Sequence, residues 1–549
     1  MVSSPAMRGL LVFLVIAGAS GNAAAQRWQD ATARCTGVTG EWSNEVDLAD
    51  VDGDGNVDIL VANGGDYDTP GTAVATRVWK NLGGWDMAGT RCTEISTEAV
   101  LGFTGLARTI KAVDIDKDGD VDILTGGAYE SQLKLYVRGA SDWTDGSAKL
   151  PQQATSIHDI EPGDVDGDGD LDLLLSDSGG NPTPGAAGGR TRLYLNDGAG
   201  NFTDVTTTNM PDILVKWSWD VELVDVDNDW DLDALISCKR CTTSYLFRND
   251  GTGKFTDDPD ALPHFSNNYE FEAIDIDKDG DLDLATINDG ASFRDHIFVN
   301  DGTGKFIDDT ARCLPGAANP SADDNAVIWV DADGDGDPDL FVASLSGPDR
   351  LSLNDGNGVF TLSSAATPND TPGSLSVAMA DLNGDGRLDL VQAQGEGTDP
   401  EKVQLGSDTV AVDVTAPKFG HVLAKDGKVY ARVHDNLSPV RAHDWQRVWV
   451  EANGVETTMT WYGEYLWVAT VAPAATMRVC AKDRRGNQAC SDGGQPVDGS
   501  PSSDGGIDPP GGGGGGGGCC DTRGSSTSIG FAFVLLIVLR RRRCRTRPA

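Results

Sequence analysis

Short apolar runs of strand length recur along the chain, each broken by a block of alternating aspartates. Four residues before each block stands an apolar residue: Val46, Ile110, Ile160, Val221, Phe271, Val327 and Val377. Behind each block comes a second apolar run, such as ILVA, LLLS or LFVA. Runs of this length on both sides of a tight polar loop predict a β-hairpin. A second hairpin succeeds it in each unit, clearest as LYLNDGAGNF at 193–202, LFRNDGTGKF at 246–255, IFVNDGTGKF at 297–306 and LSLNDGNGVF at 351–360. RVWKNLGGW at 77–85 is a degenerate copy, and LKLYV at 133–137 and KVQLG at 402–406 read as its first strand alone. Asn-Asp-Gly supplies residues that tolerate positive φ in the turn. One unit is therefore strand a, aspartate loop, strand b, connection, strand c, NDGxG turn, strand d. Seven units, with loop-to-loop spacings of 64, 50, 61, 50, 56 and 50 residues, predict an all-β, seven-bladed β-propeller over residues 26–411. The N-terminal segment WQDATAR matches the stretch after the turn Phe in other units, as in FIDDTAR at 306–312. It is expected to supply the last strand of the closing blade.

The pattern changes after the seventh unit. KVYARVH, QRVWVEA, EYLWVAT and MRVCAKDRRGNQAC read as strands of a small Ig-like β-sandwich over 412–498. Residues 499–518 are Gly, Pro and Ser-rich and read as a flexible linker. Residues 1–25 have Arg8, an apolar run and small residues Ala23 and Ala25, the layout of a secretory signal peptide. Residues 519–549 hold Cys519-Cys520, a polar spacer, a short apolar run from Ile529 to Leu539 and Arg540 to Arg543. This tail resembles a MYXO-CTERM-type C-terminal sorting signal. The resemblance implies a short transmembrane helix, a sorting protease acting near Cys519 or Cys520, and a mature protein at the cell surface, anchored or released.

The aspartate blocks are DVDGDGNVD, DIDKDGDVD, DVDGDGDLD, DVDNDWDLD, DIDKDGDLD, DADGDGDPD and DLNGDGRLD. They begin like an EF-hand loop, which needs a Glu at position twelve. That position holds Val61, Thr125, Leu175, Ile236, Thr286, Val342 or Gln392, so the EF-hand reading fails at every block. The units resemble FG-GAP/VCBS repeats, as in integrin α-like propellers, whose hairpin loops bind Ca²⁺. The resemblance implies up to seven calcium sites. Their residues are Asp50, Asp52, Asp54, Asn56 and Asp58; Asp114, Asp116, Asp118, Asp120 and Asp122; Asp164, Asp166, Asp168, Asp170 and Asp172; Asp225, Asp227, Asp229, Asp231 and Asp233; Asp275, Asp277, Asp279, Asp281 and Asp283; Asp331, Asp333, Asp335, Asp337 and Asp339; and Asp381, Asn383, Asp385, Arg387 and Asp389. Positions one, three and five would offer carboxylates, position seven its carbonyl, and position nine a closing carboxylate. Alternate oxygens suit a hard cation that takes six to eight of them. Carboxylates so crowded repel one another without a cation. In the fourth loop Trp230 replaces the turn glycine, so that site is expected to be weak or empty.

The 549 residues carry a formal net charge of −42, which argues against nucleic acid as a partner. Of ten cysteines, Cys480 and Cys490, Cys238 and Cys241, and Cys35 and Cys92 are expected to pair, as suits an exported protein. Cys313 is left over. Zinc is not expected, for there is no second CxxC and no His pair at ligand spacing. The aspartate loops and NDGxG turns have constant length and share one face; the other connections vary, and variable loops suit recognition. Candidates there are Tyr67, Tyr129, Arg190, Trp217, Trp219, Lys239, Arg240, Tyr269, Phe293 and Arg294. The function expected is a monomeric, calcium-stabilised surface module binding an extracellular glycan or protein. An enzyme acting on polysaccharide is the alternative, with His158, Glu45, Asp159, Asp220 and Glu270 as its candidates; a ligand-free spacer is the third. No G-x-S-x-G, HExxH or Cys/His set is present.

Overall fold

A computed structural model describes residues 27–491 apart from 38–39, 66–70, 130, 181–186, 289, 291, 364–372, 398, 436, 439 and 475. The signal peptide, the linker, the sorting tail and Tyr67 lie outside the described residues. No helix among the described residues is long and apolar enough to cross a membrane.

Seven antiparallel sheets carry the repeat, each with four strands in the order a-b-c-d. Their a strands are Ser43–Ala49, Ala107–Val113, Ile157–Gly163, Val221–Val224, Asn268–Ile274, Asp324–Val330 and Ser374–Ala380. Each a strand contacts the a strand of the next sheet, and the seventh contacts the first, so the arrangement is propeller-like with the a strands innermost. The N-terminal strand Trp28–Asp30 pairs with Lys402–Gly406 and completes the last sheet, as expected. Trp28 is fully buried there against Phe341 and donates its indole N–H to the Leu388 carbonyl at 2.9 Å. One strand reading is corrected. The run at 133–137 is not a lone strand, because Trp143–Asp145 pairs beside it as strand d.

Two side-chain devices join neighbouring sheets. In four sheets the residue five before the loop is an acid that reaches the next a strand, whose inner edge offers unpaired backbone N–H groups. Glu45 accepts from Ile110 N, Asp159 from Val221 N, Asp220 from Phe271 N and Glu270 from Val327 N, at 3.0–3.1 Å. The turn asparagines do the same at the loop end. Asn196, Asn249, Asn300 and Asn354 each donate to the second-position carbonyl of the preceding sheet's aspartate loop, at Ile115, Val165, Val226 and Ile276. The positive φ of the NDGxG turns falls on glycines such as Gly198 and Gly200. Its Asn is thus a fastener between sheets rather than the residue bearing the strained φ.

Residues after 417 form two further antiparallel sheets of four strands sharing one core, with Val433, Val450, Trp467 and Val479 buried in it. The three expected disulfides are present, and Cys313 is a buried free thiol. This sandwich is not held off on a tether. It lies on the aspartate-loop side of the ring, and its Leu437–Ser438 strand pairs with Trp329 and Val330 as a fifth strand of the sixth sheet.

Candidate functional site

Each aspartate loop is tied by its own end residues. Asp50 accepts N–H groups from Gly53, Asp54 and Gly55. Asp58, fully buried, accepts from Val51 N and Asn81 N, one on each oxygen. The same ninth-position pattern recurs at Asp122, Asp172, Asp283, Asp339 and Asp389. This residue is a structural knot; at Asp58, Asp122, Asp172, Asp283 and Asp339 it leaves one lone pair per oxygen for a metal, while Asp389 also accepts from Asn383.

The donor set fits a hard cation. Oxygens of Asp50, Asp52 and Asp58, of Asp114, Asp116 and Asp122, and of Asp164, Asp166 and Asp172 gather within 4.8 Å of one another. A buried Oδ1 of Asp52, Asp116, Asp227 and Asp277 has no hydrogen-bond partner among the described residues. Burial pushes Asp58 and Asp122 up to about 7, and Asp172, Asp283, Asp339 and Asp389 up to about 8, with neighbouring loop carboxylates adding to the effect. A bound cation would supply the charge that these groups lack.

The fourth loop differs. Trp230 does sit at φ +77°, a conformation costly for a bulky residue. Its ring lies 5.7 Å from Tyr430 of the sandwich, and Tyr462 donates to its carbonyl at 3.3 Å. Arg432 places Nη2 3.2 Å from Asp225 Oδ2, both side chains buried. Arg248 Nη1 stands 3.1 Å from Asp227 and 3.2 Å from Asp233. Two guanidiniums thus hold first-, third- and ninth-position carboxylates of this loop. Elsewhere the sandwich grips the loops with Lys428 on Gly167 O, His421 and Arg432 on Gly280 O, Lys418 on Gly336 O and Arg485 on Asp381.

The a strands line a central cavity of about 180 Å³. A β-bulge near the start of the strand in six sheets re-aims its first residues. Three rows result. Six residues before the loops stand Asn44, Arg108, His158, Trp219 and Tyr269, at the mouth away from the sandwich. Five before stand the carboxylates that clasp the next sheet. Three before stand Asp47, Lys111, Glu161, Glu222 and Glu272. The sandwich closes this last row: Ser438 donates to Glu272, Arg441 pairs with Glu161 at 3.4 Å, His443 bonds the Leu48 carbonyl, and Glu464 lines the same cavity.

At the mouth, Trp217, Trp219 and Tyr269 form one buried cluster. His158 lies 4.3 Å from Trp219, Trp219 is 5.7 Å from Trp217 and 5.1 Å from Tyr269. The Cys238–Cys241 disulfide closes the short loop that carries Lys239 and Arg240. Lys239 Nζ sits 4.9 Å over Trp219 and 5.1 Å over Tyr269, and the Arg240 guanidinium sits 4.2 Å over Trp217. Arg108 lies 5.7 Å from Trp219. Cation–π attraction holds the basic groups at the mouth.

Four stretches of the chain are similar to a known repeat. The FG-GAP-like repeat family matches residues 50–125, 114–175, 275–342 and 331–391. No curated protein matches the chain. Among solved structures, a lectin from Agrocybe aegerita, described as recognising non-reducing terminal N-acetylglucosamine, is similar at 16% identity, covering 60% of this chain and 81% of that one, with TM-score 0.40. The rhamnogalacturonan lyase YesW is similar at 15% identity, covering 68% and 73%, with TM-score 0.38.

Five of the ten variable-face candidates meet at the mouth: Trp217, Trp219, Lys239, Arg240 and Tyr269. The other described candidates do not join them. Tyr129 is buried, Arg190 is engaged with the carbonyls of Met210 and Pro211, Arg294 with that of Asn319, and Phe293 is exposed. His158, Glu45, Asp159, Asp220 and Glu270 all line the cavity. Lys111 bridges Glu45 at 2.9 Å and Asp159 at 3.2 Å. Burial and the charge of Asp159 push Asp220 well above the carboxylate range. Burial, then Arg108 and Lys239, hold His158 well below the usual imidazole range, so it is neutral. Sequence reading missed Arg108, Glu161, Glu222 and Glu272, although their constant offsets before the loops marked them. It also missed Arg441 and Glu464, which no offset could reveal.

Proposed function

We propose that the chain is a calcium-stabilised, seven-bladed β-propeller displayed at the cell surface, which binds an acidic extracellular glycan at the open mouth of its central cavity. The observation that carries this reading is the pairing of one closed end with one equipped end. The sandwich occupies the aspartate-loop side, while Lys239 and Arg240 ride on Trp217, Trp219 and Tyr269 at the other. Fixed cations suit uronate or sulfate groups. The acidic surface elsewhere would repel such a polymer and confine it to this spot.

The test is a glycan array with purified protein in calcium, alongside a Lys239→Gln/Arg240→Gln variant. Uronate- or sulfate-bearing glycans should bind the parent and lose at least tenfold in affinity with the variant. Equal binding by both overturns the mouth as the site.

An extracellular polysaccharide lyase or hydrolase is the second reading. It is favoured by the raised Asp220 beside Asp159, a pair with divergent environments. Against it, both carboxylates already serve as clasps between sheets. Chain-length analysis of any bound glycan after prolonged incubation separates the two readings, since only an enzyme shortens it.

A further inference from the structure

The sandwich-side end of the cavity holds a group of atoms that the fold does not explain. Glu222 and Glu272 project from adjacent a strands, each three residues before its aspartate loop. Glu464 comes from the turn before the Leu466–Thr470 strand of the sandwich, more than 190 residues along the chain. All three line one cavity; Glu272 and Glu464 are the main charges acting on Glu222, and Glu464 on Glu272, while Arg441 and Glu161 are those acting on Glu464. Glu464 is only 5% exposed, yet its Oε1 has no hydrogen-bond partner among the described residues. The buried Oε2 of Glu222 is in the same position. Glu272 has one donor, the Ser438 hydroxyl.

Clasping does not account for this row. The carboxylates five before the loops each take a backbone N–H of the next sheet; Glu222 takes none among the described residues, and Glu464 is held within the sandwich, by Val440 N–H and Tyr465, with its Oε1 left over. One guanidinium does not balance the row. Arg441 is the basic group at this end; its Nη1 pairs with Glu161, and its charge is shared with Glu464 and Glu272. Ten carboxylates and three Lys or Arg side chains line the cavity as a whole. Buried acceptor oxygens normally have partners, and carboxylates from two domains that line one cavity suit a hard divalent cation.

We propose that a divalent, oxygen-seeking cation of the Ca²⁺ class binds at the closed end of the cavity between Glu222, Glu272 and Glu464, and ties the sandwich to the ring. The site is separate from the aspartate loops, whose ligands belong to single hairpins. It needs both domains, so it exists only when the sandwich is docked.

The experiment measures bound metal per chain by elemental analysis, after calcium loading and desalting of the full chain. Parent, Glu464→Gln and Glu222→Gln are compared, with circular dichroism confirming that each is folded. Glutamine keeps the shape and removes one ligand charge. Both variants should carry one equivalent less than the parent. Glu464 stands outside every loop, so a loss there cannot come from a damaged aspartate loop. Unchanged metal content in folded Glu464→Gln and Glu222→Gln protein overturns the proposal. If one variant fails to fold, the other decides alone, with Glu272→Gln as its replacement.

Discussion

The ninth aspartate of six loops shows how one residue can serve the fold and still offer oxygens to a metal. Asp172 is 1% exposed and accepts Val165 N at 3.1 Å and Asn196 N at 2.9 Å. Those bonds join the loop to the c strand of its own sheet. Asp172→Asn presents an NH₂ to one of the two N–H donors, leaving a buried donor unpaired. That costs roughly 1–3 kcal/mol before any loss of metal, and thermal unfolding in excess chelator isolates this structural share. A melt equal to the parent's in chelator would show that the residue acts only through a metal. The spacing of this aspartate was legible in the sequence. Its backbone partners were not, because Asn196 lies 24 residues away and the bond depends on how the second hairpin folds back. The acids at Glu45, Asp159, Asp220 and Glu270 were also legible as channel residues, but their partners lie on the next sheet, 51–65 residues on.

At the scale of elements, the repeat units were readable because each is local: two hairpins, two tight turns, one apolar alternation. The N-terminal strand was readable for the same reason, since it repeats the end of a unit. Docking of the sandwich was not readable. It depends on Lys418, His421, Lys428, Arg432 and Arg485, which in sequence look like ordinary charges on strands and turns. Arg432 is the sharpest case, with Nη1 3.2 Å from Gly280 O and Nη2 3.1 Å from Asp225 O and 3.2 Å from Asp225 Oδ2. Removing one partner of a buried pair strands the other's charge, at about 3–5 kcal/mol. Arg432→Ala is therefore expected to release the sandwich before the ring melts. Limited proteolysis should cut near residues 407–416 faster than in the parent, and an unchanged cleavage pattern would deny Arg432 this docking role.

For the whole molecule, stability and pH are linked through the loops. In metal-free protein, burial raises six ninth-position aspartates from an ordinary value near 4 to about 7 or 8. The folded state then holds more protons than the unfolded state between about pH 4 and pH 8, so metal-free stability falls as pH rises through that window. Bound calcium reverses the sign, because protons compete with it for the same oxygens and the loaded protein gains as pH rises. Melting curves with calcium and with chelator should therefore diverge most near pH 8, by many degrees, and converge toward pH 4. Two parallel curves, or no effect of chelator at pH 8, would remove calcium from the account of this fold. The same comparison assigns the sandwich its place. If docking neutralises loops three to seven, deleting it should widen the gap between the two curves, since basic groups that share the loops' charge in the absence of metal would be gone.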